Sequence, residues 1–505
     1  MTEHDENFFS ALAAAAAAKP ERDCLRLPDG STWSYAAMMT WTERMGGALR
    51  HLGVSAGDRV VAQVEKSPHA VALYLGCLRI GAAYVPLNTA YTAEEVRYFL
   101  GDAEPALYVC DPDRAGSDTG AAASGVAVAT LGEEGTGSLL SLAGQVTPFT
   151  GIEPRERDAL AAIVYTSGTT GRSKGAMLSH GNLDSGARVL LDAWGWRDDD
   201  VLLHALPIFH VHGLFVALHC ALLSATPMTF LPRFDVGAVA AALPSSTVMM
   251  GVPTFYTRLL ERDDVNRETC AGMRLFVSGS APLTEQTFAA WEARTGHRIL
   301  ERYGMSETMM NTSNPLAGER VPGTVGFPLP GVELRIASTA DGTVLGPDEV
   351  GVIEVRGPNV FSGYWRMPER TAQEFRSDGY FITGDLGVMD AAGRVSIVGR
   401  DKDLIISGGY NVYPKEIERL LDELPGVRES AVIGVPHPDF GEGVVAVLVT
   451  DGRALGEDQV REALADRLAR FKQPKAVVHV PQLPRNAMGK VQKNVLREQY
   501  ANMFE

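Results

Sequence analysis

At 505 residues, with 45% hydrophobic and 21% charged side chains, the chain is too long for one hydrophobic core and has the balance of a soluble globular protein of two or more domains. A formal net charge of −16, with no long basic run to offset it, excludes nucleic acid as the partner and requires that an anionic substrate be drawn into a locally positive pocket. Five scattered cysteines (Cys24, Cys77, Cys110, Cys220, Cys270) form no Cys-x-x-Cys pair, and no run of ~18 strongly apolar residues offers a bilayer span.

The acidic amino terminus and the mildly apolar run from Ala13 to Ala18 fit neither a signal peptide nor an Arg-rich transit peptide, so a cytoplasmic location without membrane partners is expected. Between residues 35 and 107, helix-like stretches such as 70–79 alternate with short apolar runs such as 60–64, which predicts α/β structure with parallel strands. Residues 115–148 are rich in Gly, Ala and Ser and predict surface loops around short elements.

The apolar run 160–164 then empties into Tyr165-Thr-Ser-Gly-Thr-Thr-Gly-Arg-Ser-Lys-Gly175. Three glycines gather backbone N–H groups and the hydroxyls of Thr166, Ser167, Thr169, Thr170 and Ser173 around one cation, Lys174, which suits a polyphosphate. The spacing is not that of a Walker A loop, and an ordinary Ser/Thr/Gly surface loop is the competing reading. Further apolar runs at 201–207, 227–232, 247–252 and 274–279 lack alternation, as strands buried on both faces should. Their exits into Pro, Gly or Ser are where an open α/β sheet holds ligands.

Composition shifts at Gly399-Arg-Asp-Lys-Asp-Leu404. Beyond it, helix 414–424, strands 429–435 and 444–449, helix 457–471 and strand 476–480 predict an independent small α/β domain. The expected division is 1–400 for a large domain, 401–402 for a hinge and 403–505 for the small domain.

The glycine and hydroxyl run resembles the signature of the adenylate-forming superfamily of acyl-CoA synthetases, luciferases and adenylation domains, and further segments follow in that family's order from about Thr32 to Arg497. The resemblance implies a large amino-terminal domain of two α/β subdomains plus a distorted β-barrel, and a small mobile α+β carboxy-terminal domain. It implies an acid-thiol ligase that uses ATP, Mg²⁺ and CoA, first making an acyl-adenylate and then a thioester. Thr166, Ser167, Gly168, Thr169, Thr170 and Lys174 would hold phosphates. Glu301-Arg-Tyr-Gly-Met-Ser-Glu-Thr308 would supply Glu301, Arg302, Tyr303, Gly304 and Ser306 to the nucleotide and, with Thr169, Glu307 to the metal. Ser306 stands where the family carries threonine. Ser280 and Ala281 would lie beside adenine, and Asp385 with Arg400 would take the ribose hydroxyls. Lys490 of Pro484-Arg-Asn-Ala-Met-Gly-Lys490 would act in adenylation and is a candidate acetylation target for a protein acetyltransferase and deacetylase. Lys402 would be the pivot, and with Ser407, Gly408 and Gly409 would border CoA.

The acid is a separate question. Arg258 stands in Gly251-Val-Pro-Thr-Phe-Tyr-Thr-Arg-Leu-Leu260, where it reads either as an arginine snorkelling to the surface or as a buried guanidinium awaiting a second carboxylate. This context, with Pro207-Ile-Phe-His-Val-His-Gly213 and Met305, is similar to malonyl-CoA synthetases. The similarity implies malonate as the acid, with His210, Arg258, Ser280 and Met305 in its pocket and His210 also catalytic. His212 would stand behind them. Ligases for methylmalonate, succinate or an aryl acid, and an adenylation domain loading a carrier protein, share the ATP motifs and are the alternatives.

Overall fold

The computed structural model describes residues 5–116, 119–121, 125–166, 173–408, 410–452, 455–465, 467–486 and 490–504. Among these residues the strands form four sheets. The first has six strands in the order Ala127–Thr130, Leu107–Cys110, Arg59–Gln63, Ala83–Pro86, Leu160–Thr166 and Lys174–Ser179. All its pairs are parallel except the last, whose antiparallel register sets Thr166 opposite Lys174 and so brings together both ends of the glycine and hydroxyl run.

The second sheet has nine strands and is parallel from Leu300–Tyr303 through Leu275–Ser278, Val248–Gly251, Leu202–His204 and Met228–Phe230 to Asp23–Arg26. Its central strands are buried along their whole length, which is why their sequences show no alternation. Helices cover the sheets and start where the sequence supplies caps. Ser67 accepts from the Ala70 N–H ahead of Pro68–Arg79, and Ser179 with Asn182 forms a capping box ahead of His180–Ala193.

The antiparallel sheet Glu333–Ala337, Gly351–Arg356, Phe381–Met389 and Val395–Arg400 stands where a distorted barrel is expected. Among the described residues no pairing joins its outer strands. A 3-10 turn, Asp401–Asp403, follows it directly.

The last sheet holds Tyr410–Val412, Ile405–Ser407, Gly441–Thr450 and Val427–His437, with Ala476–His479 paired in parallel to Gly441–Thr450. Its cores are built from residues between 405 and 504, whereas the largest core, spanning both α/β sheets, ends at residue 397. The helix expected over 457–471 is Glu457–Ala465; Phe471 lies beyond it and stacks on Tyr410 at 4.7 Å. No helix among the described residues is long and apolar enough to cross a membrane, and all five cysteines are free, buried thiols.

Candidate active site

The exits of both parallel sheets and the antiparallel sheet face one crevice. On one side, Lys174 begins its strand as an ion pair with Glu374 (2.9 Å), its ammonium 4.1 Å from the centre of the Tyr364 ring. The Tyr364 hydroxyl lies 2.7 Å from Glu374 and 3.1 Å from Glu307. Glu307 is buried and also receives the Thr166 hydroxyl at 3.4 Å. Burial raises its pKa, against the opposing pull of Arg400 and Lys174. The donors to Glu307 are neutral hydroxyls, and among the described residues no cation pairs with it at bonding distance. An all-oxygen position with a charge deficit fits a hard divalent cation such as Mg²⁺.

On another side, Asp385 is buried with one oxygen 2.5 Å from Arg400 Nε and the other 2.5 Å from the Tyr303 hydroxyl. Gly304 follows, and a Cβ there would collide with the Met309 carbonyl, so glycine alone fits this turn. Ser306 and Met305 are half-buried beside it. Ser280 holds φ at +69°, a strained value for a residue with a side chain, and its hydroxyl meets His212 Nδ1 at 3.2 Å. Ala281 is half-buried next to it.

Glu301 supports this turn from behind by accepting the Leu283 N–H at 3.2 Å, while its other oxygen has no partner among the described residues. Burial pushes its carboxyl up to about 7, with the Leu283 N–H and Lys415 opposing. A carboxyl whose pKa rises on folding stabilises below its unfolded value and loses that contribution as pH rises through the folded one. Glu301→Gln keeps the acceptor and removes the charge. Its Tm relative to the parent protein should therefore climb between about pH 5 and pH 8, and a flat difference would show that Glu301 folds without retaining its proton.

The remaining wall is basic. Arg302, 5% exposed, lies over Gly279, where a Cβ would collide with the guanidinium. Its Nε and Nη2 have no hydrogen-bond partner among the described residues, and burial lowers its pKa to about 10. His210 Nδ1 accepts the His212 N–H at 3.2 Å, which leaves its proton on Nε2 as a donor. Burial, then the cations of Lys490 and Arg302, push His210 down to about 3, so it stays neutral. Lys490 reaches solvent yet stands inside the crevice. Its pKa is lowered first by that enclosure and then by Arg400, while Asp385 and Glu307 act in the opposite sense.

Arg258 does not join this group. The helix Pro253–Leu260 buries Phe255, Tyr256 and Leu259 and turns Arg258 outward, exposed and without a side-chain partner among the described residues. The buried guanidinium expected there is Arg302. Ser407 is buried in the small domain, Gly408 sits at φ +61° with its N–H on the Phe440 carbonyl, and Lys402 is exposed in the 3-10 turn. Among the described residues, neither Ser407 nor Gly408 bonds to Asp385, Glu307 or Arg302. Ser167, Gly168, Thr169, Thr170 and Gly409 lie outside the described residues. Tyr364, Glu374, Lys66 and His204 are polar groups around the crevice that the motifs do not mark.

Residues 12–365 match the AMP-binding enzyme family, and 416–490 match the AMP-binding enzyme C-terminal domain. The chain belongs to the AMP-binding enzyme family. It is 35% identical to a malonate–CoA ligase of Arabidopsis thaliana over 97% of this chain and 88% of that protein. It is 34% identical to an indoleacetate–CoA ligase of Aromatoleum aromaticum, covering 95% of each. The ATP-bound crystal structure of MatB from Rhodopseudomonas palustris superposes with a TM-score of 0.97 at 53% identity, covering 99% of this chain and 100% of that one. The apo structure of the same MatB, at the same identity and coverage, gives 0.86. This AMP-binding enzyme is an AMP-forming acid–CoA ligase with ATP and CoA as substrates, and Mg²⁺ is the usual partner of ATP in its family.

Proposed function

We propose that this enzyme ligates malonate to CoA. A malonate carboxylate oxygen attacks the α-phosphorus of ATP, and pyrophosphate leaves; the CoA thiol then attacks the acyl carbon of malonyl-adenylate, and AMP leaves. The observation that carries the choice of acid is Arg302, a buried guanidinium with unpartnered donors beside Ser280, His210 and His212. Leaving such donors unpaired is costly, and a carboxylate at the far end of a short diacid would satisfy two of them at once. The name of the Arabidopsis relative supports the same acid.

In this reading Lys174 exchanges Glu374 for the β- and γ-phosphates, and Asp385 with Arg400 takes the ribose. The adenine lies along Ser280 and Ala281 near Tyr303, while Gly304 and Ser306 shape the turn below it. Glu307, with Thr169, would hold Mg²⁺, which neutralises phosphate charge when bound. Lys490 Nζ meets the attacking carboxylate and the α-phosphate as charge develops. His210 Nε2–H and Arg302 orient the acid, with Met305 closing its apolar side.

The test is an acid panel with ATP, Mg²⁺ and CoA, read as AMP release and thioester mass. Malonate should give the highest kcat/KM. Preference for indoleacetate or another aryl acid, as in the name of the Aromatoleum relative, would overturn the choice, and discharge to a carrier protein but not to free CoA would overturn the thiol acceptor.

The two bodies, 1–400 and 403–505, would turn about 401–402 between half-reactions and bring Lys402, Ser407, Gly408 and Gly409 to the CoA thiol. The turn Asp401–Asp403 is 3-10, a geometry whose φ proline matches. Lys402→Pro should therefore hold the described pose: adenylation persists and thioester formation collapses. Wild-type rates of both half-reactions would exclude Lys402 as the pivot. Rotation would also carry Lys490 out of the crevice to a protein acetyltransferase, and a deacetylase would restore its charge. Fully acetylated enzyme that still forms adenylate would refute that control. A cytoplasmic, reducing location belongs to the same proposal, supported by the five free thiols.

A further inference from the structure

Lys66 is buried at a place where neither half-reaction uses it. It follows the strand Arg59–Gln63 and is 6% exposed, with Nζ 2.8 Å from His204 Nδ1, 2.8 Å from the His204 carbonyl oxygen and 4.3 Å from the centre of the Phe230 ring. Among the described residues no carboxylate pairs with it, and burial holds its ammonium well below the ordinary lysine range. Such a group is retained against a desolvation cost, so it invites a role.

His204 supplies the connection. Its Nε2 lies 2.9 Å from the Gly213 carbonyl oxygen. A carbonyl can only accept, so Nε2 carries the hydrogen, Nδ1 presents a lone pair and Lys66 is the donor that fills it. Gly213 belongs to the first turn of a π-helix, His212–Leu218, a geometry that is rare and concentrates at functional sites. The chain before it doubles back so tightly that a Cβ on Gly213 would collide with the Pro207 carbonyl, and the Leu214 N–H donates to the His210 carbonyl at 2.9 Å. The segment held in this way carries His210 and His212.

We infer that Lys66 is a positioning residue: by fixing the tautomer and orientation of His204 it pins the first turn of the π-helix, and with it the two imidazoles at the acid end of the crevice. This rests on the assignment of that end to the acid. A displacement of about 1 Å at a reacting group can cost roughly 100-fold in rate, so loss of the link should fall on the acid and spare the nucleotide.

The experiment measures KM for the acid, KM for ATP and kcat in Lys66→Met, His204→Leu, His204→Gln and the double variant Lys66→Met/His204→Leu. The acid is whichever one the wild type turns over best. A preference for an acid other than malonate would thus sink that choice and leave this test standing. Lys66→Met and His204→Leu should each lower kcat/KM for the acid by about 10- to 100-fold with KM for ATP nearly unchanged. The double variant should be no worse than the worse single one, because both remove the same link. His204→Gln, whose amide can donate to Gly213 while its oxygen accepts from Lys66, should recover most of the loss. Equal losses toward acid and ATP, additive singles, or a glutamine variant as impaired as the leucine one would overturn the inference. If Lys66→Met does not fold, the leucine and glutamine pair at His204 decides the matter alone.

Discussion

Lys490→Ala should lose acyl-adenylate formation by about 100-fold or more, the usual scale when one preorganised charge aimed at a transition state is removed. The same variant should still make thioester from supplied acyl-adenylate. The reason lies in where the small domain sits. Lys490 is the small-domain residue whose charge is felt at His210 and which itself feels Asp385, Glu307, Arg302 and Arg400, while Ser407 and Gly408 make no bond to that cluster. The close match to ATP-bound MatB and the looser match to its apo form, at one identity and coverage, say that the two bodies are arranged here as in the ATP-bound enzyme. A lysine present for one half-reaction and carried away for the other should separate them kinetically. Pyrophosphate exchange and single-turnover thioester formation measure the two steps, and an equal loss in both would end the division of labour.

How much of this was legible in the chain depended on the range of the interactions. Strands buried on both faces stood out as mostly apolar runs without alternation, whereas most of the hydroxyl and glycine loop lies outside the described residues. The partners of Lys174 and Glu307 were not visible. Glu374 lies 200 residues from Lys174 and Tyr364 lies 57 from Glu307, and nothing local marks either. The same holds for Lys66 and His204, which are 138 residues apart. The burial expected of Arg258 failed for a different reason. Apolar neighbours were read as surroundings, but in a helix the neighbours at one and three positions share a face only if the phase allows it. Here Phe255, Tyr256 and Leu259 point inward while Thr257 and Arg258 point out. A usable signal stood elsewhere: Glu301 and Arg302 are charges inside a short, fully buried strand, Leu300–Tyr303, whose parallel neighbour Leu275–Ser278 is apolar up to Ser278. A charge in such a strand has no solvent face to occupy, so it is buried and calls for a partner.

Arg302 therefore carries the last expectation, in which activity and stability move in opposite directions. Its Nε and Nη2 are buried without partners, a condition that costs stability in the protein without its acid. Arg302→Met replaces the guanidinium with an apolar chain of comparable length, so the Tm measured without ligands should stay level or rise. Malonate turnover should collapse. Losing one buried charge partner costs roughly 2–5 kcal/mol, which is about 30- to several-thousand-fold in kcat/KM. Arg302→Lys should fail as well, since an ammonium cannot reproduce the planar two-donor fit to a carboxylate. Arg258→Ala, on the outer face of its helix, should turn malonate over like the parent protein and serves as the control. Monocarboxylates such as butyrate should gain in Arg302→Met relative to malonate, because the unsatisfied charge that repels an apolar tail is gone. If kcat/KM for malonate survives in Arg302→Met, the orphaned donors serve some other purpose, and a diacid substrate loses its physical ground in this crevice.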